Sequence, residues 1–564
     1  MSKALIICRK PNSSNNDDLS RLKFVEKGIL PDNIKPNKTL VTNNGEIISC
    51  MFNPLTDNQL HKNSMLLGVC SESNWWKVDE EFKIYDGSYA IFRENEYKIE
   101  LLTDSVASRT IWYYEDKEVF VASNSQLAII YFLKNFEFNK DVIPWMLSTG
   151  SLGPFLSWDK RINALKPQSK LVFDKKKWDY TIQEQKIKFD DSVNKDVQLN
   201  VLEQELESRI DLSIQSLSID DKIALPLSGG YDSRGILLSL NKNKIKVPTI
   251  TWGSEEALTN KKSDAYIAQK LAQKLGYEHN YLLSNNPELD VRIAIDRFLI
   301  NSEGRIDHIA GYMDGFEIWA NLFNRGYSTI LRGDEGFGWL PVSNEKQARI
   351  STALVTLDDL GGMERLNFKQ EIPNYLKRGQ NESIEKWRDR LYHSFRLPII
   401  LAALNETKSA YIEIVNPLLS HSVLEFVRSL PDHLRTDKKL FKRIVEKREK
   451  KIPFASFNAN ISHKDQLKRK EMVDYFIETI NENKDLDFFD SVFLEELFYK
   501  CHSISIGSNS ISKKVKQFMP QAVKVWLKSK NKNLNTIDSY VLLFRVFIIF
   551  EMYRKINHHI NNNS

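Results

Sequence analysis

Leu225-Pro226-Leu227-Ser228-Gly229-Gly230-Tyr231-Asp232-Ser233-Arg234 is the stretch on which the reading of this chain turns. Ahead of it, residues 222–227 read as a short buried strand; behind it, Ile236, Leu237 and Leu240 recur at helical spacing. A Ser-Gly-Gly turn therefore joins a strand to a helix. Its glycines are expected to take positive φ and to let the backbone approach a ligand closely. The helix start offers unbonded N–H groups and a positive dipole end to an anion. This is a phosphate cradle without the Lys that precedes Ser/Thr in a Walker A loop. Asp232 instead stands where it could hold a magnesium ion bridging phosphates.

Working outward, the pattern alternates strand and helix. Residues 247–252 form a second expected strand, Ser263 is placed to cap a helix carrying Ile267, Leu271 and Leu275 and closed by Gly276, and residues 281–283 form a third strand. Such alternation predicts a parallel sheet with helices on both faces and ligands at the strands' carboxyl ends. Ser228, Thr251 and Trp252 fall at those ends, where adenosine would lie. Before the loop, Leu199, Leu202, Leu206, Ile210, Ile214 and Leu217 mark an amphipathic helix, with Asp220-Asp221 as its turn. After it, Ile330-Leu331-Arg332-Gly333-Asp334-Glu335-Gly336-Phe337-Gly338-Trp339 reads as a strand entering a glycine-rich acidic turn. From about residue 350 the chain reads as mostly helical, and the apolar run 540–550, broken by Arg545, suits a buried helix better than a membrane span.

The first 180 residues read differently. Runs at 4–8, 46–51, 66–70, 89–92, 99–102 and 119–122 are short and β-prone, separated by turn residues. Residues 175–195 are polar and aperiodic, and read as a linker. A chain of 564 residues exceeds one hydrophobic core. Its 42% hydrophobic and 27% charged content is that of a globular protein, and a net charge of +5 makes no case for a dedicated nucleic-acid binder. Cys8, Cys50, Cys70 and Cys501 show no CxxC spacing, and His308, His421 and His433 show no metal-ligand spacing. No signal peptide is expected at residues 1–18. The expected compartment is the cytoplasm.

Ser228-Gly229-Gly230-Tyr231-Asp232-Ser233 resembles the SGGxDS loop of the ATP-pyrophosphatase (PP-loop) superfamily, and Thr251-Trp252-Gly253 with Ser263-Asp264 narrows the likeness to the asparagine synthetase branch. Asp334-Glu335 with Phe337-Gly338 is similar to that family's DE-x-FG segment, and Asn416-Pro417-Leu418-Leu419-Ser420-His421 to its PFLD-H segment with the Asp lost. Asp86-Gly87-Ser88-Tyr89-Ala90, Thr103-Asp104, Ser108-Arg109, Val121-Ala122-Ser123 and Leu165-Lys166-Pro167 resemble the later part of its class II amidotransferase domain.

The resemblance implies an α/β protein: an Ntn-hydrolase-like β-rich sandwich over 1–180, and a PP-loop parallel-sheet ATP domain with a mostly helical C-terminal part over 196–564. It implies ATP and Mg2+ as cofactors and ATP-dependent amide formation through an adenylated carboxylate. Leu227, Ser228, Gly229, Gly230, Asp232, Ser233, Thr251, Trp252 and Gly333 would bind ATP, and Asp232 and Asp334 would hold the metal. Asp232, Asp334, Glu335 and Lys464 would be catalytic, with Glu303 a second candidate acid and Lys468 a second candidate lysine. The implied partner is a carboxylate-bearing small molecule or peptide, not nucleic acid or membrane, with a homodimer as an allowed assembly.

Three departures shape the expectation. The family's glutaminase uses an N-terminal Cys, where this chain has Ser2; Asn44-Gly45-Glu46 matches the family's glutamine-binding NGE but is followed by Ile48 and Ser49; and Arg332 replaces a small residue. An amidotransferase-like domain without glutaminase is therefore expected, as in β-lactam synthetases and lasso-peptide cyclases. The rivals are a glutamine-hydrolysing enzyme using Ser2, an ammonia-fed asparagine synthase-type amidotransferase, and a non-catalytic scaffold.

Overall fold

A computed structural model describes residues 2–10, 17–217, 222–284, 289–459, 463–503 and 536–562. Asp220-Asp221 lies outside these residues.

Among the described residues, twelve strands precede the helix Leu199–Gln215: β1 Lys3–Arg9, β2 Leu40–Asn43, β3 Ile47–Phe52, β4 Gln59–His61, β5 Ser64–Cys70, β6 Gly87–Glu94, β7 Lys98–Thr103, β8 Trp112–Glu115, β9 Val119–Ser123, β10 Asn163–Ala164, β11 Ser169–Asp174 and β12 Asp179–Glu184. They form two six-stranded antiparallel sheets, ordered β10-β8-β9-β1-β3-β2 and β12-β11-β7-β6-β5-β4. The alternation of strand side chains explains why two sheets form. Ala4, Ile6 and Cys8 of β1 join Met65, Leu67, Phe92, Leu101 and Phe173 of the other sheet in one core. Leu5 and Ile7 point the opposite way, onto Leu22, Val25 and Ile29 of the helix Asp18–Ile29 and onto the helix Gln126–Leu133. The outer face of the second sheet buries Tyr89, Ile91 and Leu102 with Trp75.

The remaining strands are β13 Ile223–Pro226, β14 Thr249–Gly253, β15 His279–Leu283, β16 Thr329–Leu331 and β17 Glu413–Val415. They make a parallel sheet in the order β15-β14-β13-β16-β17. β13 lies at its centre, with Leu225 opposite Thr249 and Ile223 opposite Thr329. The helix Leu199–Gln215 buries Leu202, Leu206, Ile210 and Ile214, and the helix Asp264–Leu275 has Ser263 and Gly276 as its caps. The helix Ser539–Asn562 is enclosed by aromatic neighbours, with Phe544 and Phe547 fully buried against Phe476. No described helix is long and apolar enough to cross a membrane.

One reading is corrected and two are filled in. Residues 175–195 are not all linker: β12 pairs with β11 from Ser169–Glu184 to Asp174–Asp179. As an edge strand it is solvated on both faces, which removes the apolar alternation that marks a strand. The first 180 residues also hold three helices, Asp18–Ile29, Gln126–Leu133 and Val142–Thr149. The last two are buried around their whole circumference, so they lack a polar face and a helical period. Finally, β17 interrupts the helical part, as three residues too short for periodicity to register.

The amidotransferase-like landmarks lie at the seam between sandwich and parallel sheet. Arg109 pairs with Glu413 and donates from Nη2 to the Ile414 carbonyl at 2.9 Å. Asp86 accepts from Ser420 and from the Ser422 N–H at 2.8 Å, and Ser88 accepts from the Asn416 N–H at 3.1 Å. Asp104 holds the turn before Arg109 through the N–H groups of Val106 and Ser108, both at 3.0 Å.

Candidate active site

Chain geometry fixes the loop after β13 from both sides. Thr251 Oγ1 donates to the Leu227 carbonyl at 2.5 Å. The Ser228 N–H donates to Ser233 Oγ at 3.0 Å, and the two serine hydroxyls lie 3.0 Å apart. The Gly229 N–H donates to Asp264 Oδ1 at 3.1 Å, which ties the loop to the start of the next helix. Behind the loop, the fully buried Arg234 donates to the carbonyls of Ile452 at 2.9 Å and Pro453 at 2.7 Å, and its guanidinium lies 3.9 Å over the Phe454 ring. Tyr231 stacks on the other part of this brace, its ring centroid 3.9 Å from that of Phe454. The helix Asp232–Lys242 has no side-chain cap, so its first N–H groups keep their donor capacity.

The glycines act differently from the expectation. Neither Gly229 nor Gly230 takes positive φ. Gly229 is required by packing, since a Cβ there would lie 2.4 Å from Ala455 Cβ. Gly230 faces open space, with only Ser228 Oγ at 3.4 Å from such a Cβ.

The end of β16 meets this loop edge to edge. A Cβ on Gly333 would lie 2.9 Å from the Ser233 nitrogen and 3.1 Å from Asp232. That close approach brings Arg332 and Asp334 onto the same cavity as Asp232, a space of about 660 Å³. Leu227, Ser228, Asp232, Ser233, Thr251, Trp252, Gly333 and Asp334 line it, together with Asp264, Arg332, Asn458 and Ala459. The Arg332 N–H still bonds to the Val415 carbonyl at 2.8 Å, so the chain stays extended there and its side chain shares a face with that of Asp334. Arg332 Nη2 lies 3.3 Å from Asp334 Oδ1, and Asn405 Nδ2 donates to Asp334 Oδ2 at 2.6 Å.

Glu335 does not line the cavity. It is buried and accepts from the Phe337 N–H at 2.6 Å. It reaches the site through Lys438, whose ammonium is 2.8 Å from Glu335 Oε1 and 3.0 and 2.9 Å from the two Asp232 oxygens. Burial lifts the Glu335 carboxyl to about 7 against the pull of Lys438. Burial also raises Asp232; Lys438 opposes the rise and the Asp334 charge adds to it. Lys438 escaped the sequence reading because it acts from a turn, with Asp437 and Lys438 both left-handed at φ 58° and 55°. No periodic or motif signal marks such a residue.

The other candidates separate from this cavity. Glu303 is buried beside Lys3 and accepts from the Gln126 N–H at 3.0 Å, so it holds the start of a sandwich helix. Lys464 falls in the short helix His463–Leu467, and its side chain lies outside the described part. Lys468 is exposed, 3.9 Å from Asp465. Ser2 is buried: its hydroxyl donates to the Asn53 carbonyl at 2.9 Å and accepts from the Leu55 N–H at 2.8 Å and Asn58 Nδ2 at 2.6 Å. That fills all three positions of a hydroxyl. Asn44-Gly45-Glu46 is an exposed hairpin turn beyond the Ile47 end of β3, whereas Ser2 adjoins the Phe52 end, because Lys3 pairs with Phe52 and Cys8 with Ile47. Five residues of strand, roughly 17 Å, separate the two.

The donor set suits a magnesium ion that bridges phosphates. Such an ion takes one or two carboxylates and completes its shell with phosphate oxygens and water. Asp232 and Asp334 face one cavity, and each carboxylate oxygen keeps a lone pair beyond the contact it already makes. Among the described residues no group of three or more acidic, His or Cys side chains is arranged for an all-protein metal site.

No protein-family model matches the sequence, and no curated protein matches it. Among solved structures the chain is similar to the allosteric regulatory enzyme of purine biosynthesis, at 8% identity and a TM-score of 0.22 over 51% of this chain and 82% of that one. It is also similar to the glutamine phosphoribosylpyrophosphate amidotransferase of B. subtilis complexed with ADP and GMP, at 9% identity and a TM-score of 0.20 over 50% and 82%. Likeness at that level carries no argument about this chain. Its architecture rests on its own three sheets.

Proposed function

We propose that this cavity takes ATP and that the protein is an ATP-dependent carboxylate–amine ligase. One observation carries the reading: Asp232, on the helix after the Ser-Gly-Gly turn, and Asp334, three residues beyond the end of the neighbouring strand β16, line a single cavity with Ser228 and Ser233. In the proposed reaction a substrate carboxylate oxygen attacks the α-phosphorus, and the bond to pyrophosphate breaks. An amine then attacks the acyl carbon, loses a proton, and AMP leaves with its oxygen.

The chain's own groups would work electrostatically. Ser228 and Ser233 hydroxyls and the open N–H groups of the helix Asp232–Lys242 would donate to the leaving pyrophosphate. Thr251 and Trp252 would flank the nucleoside. Magnesium, held by Asp232 and Asp334, would neutralise charge on the phosphates. The proposed division is a sandwich domain over 1–180 without glutaminase and a synthetase domain over 196–564, acting in the cytoplasm on a carboxylate-bearing small molecule or peptide. The saturated, buried Ser2 hydroxyl supports the absence of glutaminase.

The test is carboxylate-dependent exchange of labelled pyrophosphate into ATP. Wild-type protein should catalyse it with its acyl substrate, and Asp232→Ala should lose at least a hundredfold, in line with about 3 kcal/mol for one charge-stabilising contact. Undiminished exchange in Asp232→Ala would remove the assignment. A wild-type protein that binds no ATP would leave the scaffold reading.

A further inference from the structure

A second cavity, of about 680 Å³, shares no lining residue with the first. One wall is the chain that leaves β12, residues 184–190; another comes from residues 375–394 of the helical part. Lys166 bridges the two, 3.0 Å from Glu184 and with its ammonium 4.5 Å from the centre of the Tyr375 ring. Lys386 adds a link to Asp191 at 2.7 Å.

The first wall is an unused strand edge. β12 stands at the edge of its sheet and pairs with β11 alone. Beyond it the chain runs to Asp190 with no helical turn or bend. It is fixed at its ends by the Gln185 N–H on the Gln168 carbonyl and the Asp190 N–H on the Arg428 carbonyl, both at 3.0 Å. Between these anchors no described group accepts from the N–H of Lys186, Ile187, Lys188 or Phe189, and none donates to their carbonyls. Four such residues span about 13 Å. Another polypeptide backbone supplies donors and acceptors in the matching alternation.

Charge says which polypeptide. The lining holds six cationic and three acidic side chains. Glu184 and Glu382 are held by Lys166 and Arg390. The exposed Lys186, Lys188 and Lys377 make no ion pair with a described residue. Half-buried Phe155, Ile187 and Tyr375 lie among them. A second copy pairing along this edge would set lysine against lysine, which is how such edges are kept apart. The same charge favours a strand whose side chains alternate acidic and apolar.

We infer that residues 186–189 and the cavity beside them form a docking groove for an acidic polypeptide segment, bound in extended form as a further strand. The inference does not rest on the ATP reading.

The test is fluorescence anisotropy of a labelled eight-residue peptide of alternating Glu and Val, with no nucleotide present. Wild-type protein should bind it saturably, at least tenfold tighter than the same peptide with Gln for Glu, and more weakly as salt rises. The double variant Lys186→Glu, Lys188→Glu should lose at least tenfold. Its melting temperature should stay within a few degrees, since both side chains are exposed and unpaired among the described residues. N-methylation of every peptide residue removes the N–H groups and should abolish binding. No binding, no preference for Glu over Gln, or undiminished binding in the double variant overturns the inference. So does an N-methylated peptide that binds as well, which would leave charge without strand pairing. An eight-residue oligothymidylate that displaces the peptide at equal concentration would make the groove a nucleic-acid site, and a sedimenting dimer that excludes the peptide would give the edge to a second copy; either result overturns it.

Discussion

Gly333 is where one atom decides the site. An added Cβ would press on the Ser233 nitrogen at 2.9 Å, which is backbone and cannot swing away. Gly333→Ala is expected to cost about 1–3 kcal/mol of stability, as overpacking does, and to weaken nucleotide binding at least tenfold. Thermal melts and titration with an ATP analogue measure the two. Lys438 is the second such residue, since it holds Asp232 and Glu335 together. Lys438→Met should cost about 2 kcal/mol, less than the ~3–5 of a fully buried pair because water reaches Asp232; urea unfolding would show it, and an unchanged midpoint would count against the pairing. Asp334→Asn removes charge but little volume, so it should raise the magnesium needed for analogue binding while leaving the melting temperature within a few degrees. At this scale the sequence marks position rather than role: Ser228, Asp232, Ser233, Thr251, Trp252 and Asp334 follow from one strand–turn–helix pattern and its echoes and line one cavity, whereas Gly229 and Gly230 of the same loop do not line it. Lys438, Arg234 and the Glu335 orientation were not legible, because each depends on what a distant segment places beside it.

Elements were readable where a long period runs through them. The helices Leu199–Gln215 and Asp264–Leu275, and the strand-like runs of the first 125 residues, all stand near their expected places. Elements fully buried or fully solvated were not, because they lose the contrast between faces; Gln126–Leu133 and β12 are the two opposite cases. The helix Ser539–Asn562 lies between these extremes, legible by its apolar run. Its Phe547 is fully buried and meets the rings of Tyr475, Phe476 and Phe544. Phe547→Ala should therefore cost about 3–5 kcal/mol, the range for a large ring lost from a core, read as a fall in the denaturation midpoint. A loss below about 1 kcal/mol would mean that this helix is peripheral to the fold.

At the scale of the whole molecule, acid should loosen the fold through its histidines. Burial lowers His279 to about 4 and holds His393, His421 and His559 below their ordinary value. His393 is the most enclosed, its Nε2 paired with the Gly336 carbonyl at 2.9 Å and its Nδ1 facing Arg428 at 3.3 Å. Between pH 6.5 and about 4 the unfolded chain takes up protons that the folded chain refuses. Stability from these groups is therefore complete above 6.5 and lost as pH falls through that window. Glu335, lifted to about 7, works in the opposite sense between 7 and 4.5, so melting temperature against pH is compared between wild type and His393→Gln, and equal slopes from 6.5 to 4.5 would contradict the claim. The seam between sandwich and parallel sheet should behave as one unit with both, because Arg109, Asp86 and Ser88 tie it at Glu413, Ser420 and Asn416. The proposal of an ATP-using ligase stands on the cavity lined by Ser228, Asp232 and Asp334, and titration with a non-hydrolysable ATP analogue in magnesium tests that most directly. The account expects saturable one-to-one binding in the wild type, lost at least tenfold in Asp232→Ala at a temperature where melting shows that the variant is still folded. Binding that Asp232→Ala leaves intact, or no binding at all, would contradict it.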